Sequence, residues 1–154
     1  MSRENMQALL KEFGSRIGIE GLSLDRNGFC CLFFDDIAVN VEVPADSDQV
    51  FFYVNLGEIP RANAAELFEK LLEANHLYRK TAGGTIGIDK AADVISLAYQ
   101  CPIQVLDIGR LEKILENFVN TAEFWLKELR AFQFGESTAD APTATAPAPM
   151  GIRA

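Results

Sequence analysis

Two short segments of this chain are apolar at almost every position, and they constrain its fold more than any other feature. Residues 29–34 read FCCLFF and residues 50–54 read VFFYV. Successive side chains of a strand point to opposite faces of the sheet, so such strands present apolar groups on both faces. Antiparallel sheets usually keep one face wet. Either the helices cover both faces, or part of this apolar surface is left for a partner.

Turn signals and apolar–polar alternation predict the remaining strands. Asn27-Gly28 is a strong hairpin signal, which makes residues 22–25 the strand that precedes 29–34. Residues 37–43 (IAVNVEV) alternate as expected of a strand with one wet face. Six strands are predicted in all, at residues 22–25, 29–34, 37–43, 50–56, 85–89 and 93–100.

Apolar residues at helical spacing predict three amphipathic helices around these strands. The first fades near residue 16, the second begins at Pro60, and Asp107 caps the third. The order is α-β-β-β-β-α-β-β-α, an α+β fold in which an antiparallel sheet packs with three helices. Residues 136–154 (ESTADAPTATAPAPMGIRA) lack any apolar period, so we expect a disordered Ala/Pro/Thr-rich tail after a single domain of residues 1–135.

The charge balance excludes several classes of partner. Acidic side chains outnumber basic ones by 22 to 14, a formal charge of −8, of which residues 1–135 hold −7. Nucleic-acid binding needs a basic patch, so we expect no nucleic-acid partner. No apolar run approaches the ~20 residues that cross a bilayer, and the N-terminus lacks the apolar core of a signal peptide. The odd cysteine count argues against a disulfide framework and for reduced thiols, so we expect a cytoplasmic protein without a membrane partner.

Residues that could carry catalysis are sparse. His76 is the sole histidine, so neither a metal site nor a histidine-activated nucleophile has partners at a suitable spacing. Residues 82–87 (AGGTIG) follow a helix and precede a strand, whereas a phosphate-binding loop follows a strand and opens a helix. We therefore expect no enzyme activity, no metal and no cofactor.

Four segments resemble a known family, in the same order along the chain. They are LFEKLLEAN at residues 67–75, GGTIGID at 83–89, VISL at 94–97 and LEKILENFVNTAEFW at 111–125. Together with the size, the acidity and the helix-first order, they resemble the class I type III secretion chaperones, the Tir chaperone (CesT-like) family. The resemblance runs from residue 6 to about residue 130 and does not include the tail.

This resemblance implies a bacterial, cytosolic homodimer that binds the N-terminal segment of a virulence effector and keeps it non-globular and export-competent, without nucleotide. The effector segment would lie extended over apolar patches and could add a strand to a sheet edge. The effector-binding residues are expected to be Phe13, Ile17, Leu22, Leu24, Cys31 and Phe33. The dimer interface is expected to contain Leu67, Phe68, Leu71, Ile95, Leu97 and Tyr99.

Two questions stay open at the level of the sequence. Alternation places Phe29, Cys31 and Phe33 on one face of a strand, but it does not say whether the helices cover that face. The pattern also fits other classes of protein. One is a small-ligand-binding or regulatory α+β domain with a pocket beneath the first helix, and another is an enzyme subunit that acts only in a complex.

Deleting residues 136–154 is expected to leave the melting temperature nearly unchanged, because this composition cannot bury enough apolar surface to order itself. Thermal unfolding of the truncated and full-length chains, followed by circular dichroism, checks this expectation. A loss of several degrees on truncation would show instead that the tail docks on the domain.

Overall fold

The computed structural model describes residues 2–135, in which the chain forms three α-helices and five strands. In chain order these are α1 (Ser2–Ile17), β1 (Phe29–Phe34), β2 (Ile37–Glu42), β3 (Gln49–Glu58), α2 (Ala64–Asn75), β4 (Thr85–Asp89), β5 (Val94–Pro102) and α3 (Ile108–Phe134). The tail predicted for residues 136–154 lies outside the described residues.

The strands form one antiparallel sheet in the order β1-β2-β3-β5-β4. β1, β2 and β3 pair in sequence, and β5 then lies between β3 and β4. β1 and β4 are consequently the edges of the sheet. The predicted fold class, an α+β fold with an antiparallel sheet and three helices, is confirmed.

The predicted strand at residues 22–25 is wrong, and the element order is α-β-β-β-α-β-β-α. The Asn27-Gly28 turn does form, since the Gly28 N–H donates to the Asp25 carbonyl (3.0 Å). The Leu24 N–H, however, donates to the side-chain oxygen of Gln7 (2.8 Å), which ties the segment to α1. A turn signal marks where the chain reverses, but it does not decide whether both arms enter the sheet.

Local backbone signals set the starts of the later helices. Asp107 caps α3 as predicted, because its carboxylate accepts the Arg110 N–H (2.8 Å). α2 begins at Ala64 and not at Pro60, since Asn63 adopts a left-handed backbone conformation (φ 56°) that interrupts the helix. No helix within residues 2–135 is both long enough and apolar enough to span a bilayer.

The core lies between one face of the sheet and the helices: α3 packs against β2 and β3, α2 against β4, and α1 against α3. Alternate strand residues form that face, among them the cross-strand neighbours Val41 and Phe52, which are fully buried. Trp125 of α3 is also buried, and its indole N–H donates to the Lys80 carbonyl (2.8 Å), the kind of partner that a buried indole needs. The helices contribute Met6, Leu10, Leu111 and Leu115.

Polar contacts hold α2 against β4 and α3. The Asn75 carboxamide donates to the Ile86 carbonyl and accepts from the Ile86 N–H, both at 2.8 Å. Lys70 donates to the buried Glu128 carboxylate of α3 (2.5 Å). Because β4 is an edge strand, Asn75 satisfies backbone groups that would otherwise lack a strand partner.

Candidate binding surface

The two faces of β1 have different surroundings. Cys30 and Leu32 point into the core and are buried, whereas Phe29 and Cys31 are partly exposed and Phe33 is 70 % exposed. The face that carries Phe33 is therefore the one that α1 and α3 do not cover. This answers the question that the alternation in the sequence left open.

The strand register extends this uncovered face across the sheet. Phe29 lies beside Glu42 and then Phe51 in one row, and Cys31 lies beside Asn40 and then Tyr53 in the next. None of these side chains is fully buried, although their neighbours on the other face are. The rows continue onto β5, where Gln100 lies beside Phe51 and Ala98 beside Tyr53. We call the part of this surface on β1, β2 and the middle of β3, together with Ala98, the open face; it consists of Phe29, Cys31, Phe33, Ala38, Asn40, Glu42, Phe51, Tyr53 and Ala98.

Aromatic side chains dominate the open face, and one carboxylate lies among them. The Tyr53 hydroxyl donates to the Glu42 carboxylate over a long distance of 3.4 Å. Burial raises the pKa of Tyr53 first, and the negative charge of Glu42 beside it raises that pKa further. Tyr53 is thus neutral at physiological pH and acts as a hydrogen-bond donor to Glu42.

β1 also offers a free backbone edge beside this face. Phe34 and Ile37 flank the two-residue turn at Asp35-Asp36 and therefore form a hydrogen-bonded pair. Hydrogen-bonded pairs alternate along an antiparallel ladder, so the backbone groups of Phe34 and of every second residue before it bond to β2. The N–H and C=O groups of Cys31 and Phe33 point away from β2, and within residues 2–135 no other hydrogen bond takes them. Such an edge can accept an additional strand.

Comparison of the sequence with known protein families gives a match that covers the sheet and its helices. Residues 8–126, from α1 into α3, match the profile of the Tir chaperone protein (CesT) family. The chain belongs to this family. The resemblance drawn from the sequence alone is confirmed.

Individual relatives align with this CesT-family chain over most of their length. The transcriptional anti-antiactivator ExsC of Pseudomonas aeruginosa is 29 % identical over 123 residues, 79 % of this chain and 83 % of ExsC. The Tir chaperone of Citrobacter freundii is 26 % identical over 117 residues, 76 % of this chain and 74 % of that protein.

Solved structures share the fold. The ExsC–ExsE complex gives a TM-score of 0.70 at 26 % identity, covering 81 % of this chain and 93 % of that one. The HopA1–SchA chaperone–effector complex gives a TM-score of 0.68 at 18 % identity, covering 82 % of this chain and 97 % of that one. The second likeness concerns the fold alone.

The six residues predicted to bind an effector have different environments. Phe13 is buried in the core, and Leu22 and Leu24 are half-buried against it. Ile17 is exposed at the end of α1, while Cys31 and Phe33 lie on the open face. The six predicted residues did not include Phe29, Phe51 or Tyr53, which share the open face. Alternation had already grouped Phe29 with Cys31 and Phe33, and the two-sided apolar pattern of β3 contained the other two.

The six residues predicted for a dimer interface are mostly interior. Leu67, Leu71, Ile95 and Leu97 are buried in the core of the protomer, so their side chains are not available to a second copy. Phe68 and Tyr99 are only partly buried. The apolar stripe of an amphipathic helix marks the face that packs on its own domain, which explains why Leu67 and Leu71 are interior.

Other apolar side chains near α2 are exposed. Leu72 lies on α2 and is 70 % exposed, and Leu77 and Tyr78 follow it in left-handed backbone conformations (φ 54° for both). Ile88 lies on β4, the strand that α2 contacts, and is also exposed. We call these four side chains the α2 patch.

Chemical groups in the described part of the chain do not converge on a reactive centre. No cluster of three or more His, Cys, Asp or Glu side chains within residues 2–135 could hold a metal ion. Burial raises the pKa of the Cys30 and Cys101 thiols, which keeps both protonated and unreactive at neutral pH. A cleft of about 360 Å³ lies between β3 and the last turns of α3, and a larger one of about 550 Å³ lies between the first residues of α1 and the loop at residues 44–48.

Substituting aspartate at adjacent positions of β1 is expected to separate the two faces. Phe33→Asp changes the free energy of unfolding by about 0.5 kcal/mol or less, because the new carboxylate stays in water. Leu32→Asp buries an unpaired carboxylate in the core and costs roughly 4 kcal/mol or more. Urea unfolding followed by circular dichroism measures both values. Equal destabilisation by the two variants would contradict the assignment of the faces.

Proposed function

We propose that this chain is a type III secretion chaperone that binds the N-terminal segment of an effector and keeps it non-globular and export-competent. The observation that carries the proposal is the open face, an aromatic surface that α1 and α3 leave uncovered. Membership of the CesT family supports the proposal, as does the similarity to ExsC, which has been solved in complex with ExsE.

An extended effector segment suits this surface better than a folded domain does. Its backbone can pair with the free edge of β1 at Cys31 and Phe33, while alternate side chains contact the aromatic rings. Ordering a disordered segment costs conformational entropy, so the contact has to be long to be stable. A segment held in this way has no opportunity to fold, which is the state that export requires.

The proposed function needs no catalytic step, no nucleotide and no cofactor. Binding energy alone keeps the effector segment extended, because apolar contacts and backbone hydrogen bonds replace those that a folded effector would make. We propose that the chaperone acts in the bacterial cytoplasm, where the effector is present before export.

We further propose that the chaperone is a homodimer that associates through the α2 patch. Leu72, Leu77 and Tyr78 expose large apolar side chains on one element and the turn after it. Isolated exposed apolar residues are common, but a group of this kind typically marks an interaction site. A two-fold dimer would double the effector-binding surface without enlarging the chain.

Co-expression with each neighbouring open reading frame, followed by purification of the tagged chaperone, tests the effector proposal. We expect one larger protein to co-purify with the wild type. Phe33→Asp is expected to reduce the co-purified amount roughly tenfold or more, because a carboxylate would be buried at the contact.

Asn120→Asp is the matched control, since it adds the same charge at an exposed position of α3. It is expected to leave co-purification unchanged. A correctly folded Phe33→Asp variant that retains its effector would remove the open face from the binding site.

Light scattering tests the dimer at micromolar concentration. The wild type is expected to give twice the chain mass of 17.0 kDa, and Leu72→Asp to give the monomer mass, because the variant places a carboxylate within the apolar contact. Ile19→Asp, at another exposed apolar position, is the control and is expected to remain dimeric. A wild-type mass of one chain would overturn this part of the proposal.

A regulatory role is the second candidate, and the similarity to ExsC favours it. ExsC is named for an action on transcription, and the same open face could hold a regulatory partner in place of an exported one. A secretion assay on the co-purified protein distinguishes the two candidates, because an effector is secreted through the type III system and a regulatory partner is retained in the cell.

A further inference from the structure

Glu42 is the one charged side chain of the open face. It lies between two aromatic residues, since Phe29 of β1 and Phe51 of β3 are its cross-strand neighbours. The side chain is half-buried, and its hydrogen-bond partner is the Tyr53 hydroxyl at 3.4 Å. No salt bridge to Glu42 forms within residues 2–135, and none of the residues that make up the open face is a lysine or an arginine.

A partner that covers the open face removes water from this carboxylate. One long hydrogen bond from Tyr53 cannot replace the lost hydration, and a buried, unpaired carboxylate is strongly unfavourable. The unfavourable desolvation is offset if the partner brings a positive charge to Glu42. The raised pKa of Tyr53 keeps its hydroxyl a neutral donor, so Tyr53 brings no positive charge to the Glu42 carboxylate.

We propose that Glu42 selects effector segments that place a lysine or an arginine over it, flanked by apolar side chains that contact Phe29 and Phe51. This proposal rests on the proposed function and specifies the chemistry of the segment. In an extended segment, side chains two positions apart share a face, so the pattern is apolar–basic–apolar at alternate positions. Arginine fits best, because its planar guanidinium forms two parallel hydrogen bonds with a carboxylate and also stacks on aromatic rings.

Glu42 also rejects unsuitable segments. An aspartate or glutamate at the central position would place two carboxylates together in a dehydrated site, and an apolar residue would leave Glu42 unpaired. The formal charge of −7 on residues 1–135 acts in the same direction at long range, since it favours encounter with basic segments. The apolar contacts thus supply affinity and Glu42 supplies discrimination.

A displayed library of random 16-residue peptides, selected on the full-length chain, provides the probe. Selection on the wild type is expected to enrich lysine or arginine between apolar residues at alternate positions. Selection on Glu42→Lys is expected to enrich aspartate or glutamate at that central position instead. Phe33→Asp serves as the background, because it disrupts the open face without removing Glu42.

One enriched peptide then gives dissociation constants by titration calorimetry. Glu42→Gln, which keeps the shape and removes the charge, is expected to weaken binding roughly tenfold, in line with the loss of a charge-assisted hydrogen bond. Glu116→Gln, at an exposed position of α3, is the control and is expected to bind as the wild type does. Replacing the central basic residue of the peptide by glutamate is expected to abolish binding to the wild type and restore it to Glu42→Lys.

The outcomes separate this inference from the function on which it rests. If the wild type enriches peptides that Phe33→Asp does not, but without a basic preference, Glu42 is not the selector and the chaperone function stands. Equal binding by Glu42→Gln and Glu116→Gln overturns the inference in the same way. If the wild type enriches no peptide above the Phe33→Asp background, the proposed function fails and the inference with it.

Discussion

The sheet buries only one of its faces, since the side chains of that face lie in the core with those of the helices, whereas the side chains of the other face are partly or fully exposed. The strands nevertheless carry apolar side chains on both sides. Burial of the first set, with Val41, Phe52 and Trp125 at its centre, stabilises the domain. The second set contributes little to folding and remains available for binding. The division of apolar residues between these two uses is the basis of the whole architecture.

An exposed aromatic surface beside a free strand edge also favours aggregation, and the chain counters it in several ways. The edge of β1 is short, and the Asp25 turn already occupies its first residue, since the Asp25 N–H donates to the Phe29 carbonyl (2.7 Å). On the opposite edge, the Asn75 carboxamide forms hydrogen bonds with both the N–H and the C=O of Ile86 in β4. Net negative charge adds repulsion between copies. Pairing is thus restricted to a few residues of β1, where a specific segment can add.

Much of the fold could be predicted from the sequence because its signals are local. The run of residues 29–34, the alternation from residue 37 and the Asp107 cap each depend on neighbouring side chains, and the structure reproduces all three. The predicted strand at residues 22–25 does not form, because the Leu24 N–H donates to the side chain of Gln7, a residue far away in the sequence. Pairing in a sheet is non-local, and a turn signal cannot report it.

The candidate site was less predictable for a related reason. Alternation groups Phe29, Cys31 and Phe33 correctly, but which face the helices cover depends on tertiary packing. The same limit affected α2, where the apolar stripe predicted an interface and the structure turns Leu67 and Leu71 inward. Leu72 belongs to the same apolar stripe, yet the structure leaves it 70 % exposed. Periodicity identifies apolar faces, and only the packed structure tells which of them remain free.

Amide hydrogen exchange, measured on the chain alone and in complex with its co-purified effector, locates the effector-binding surface. The amides of Cys31 and Phe33 are expected to exchange fast in the free chain and to become strongly protected in the complex. Exchange in the solvent-facing turns of α3 stays unchanged. Protection confined to α2 or α3, with β1 exchanging as fast as before, would contradict the assignment of the open face and its edge as the effector-binding surface.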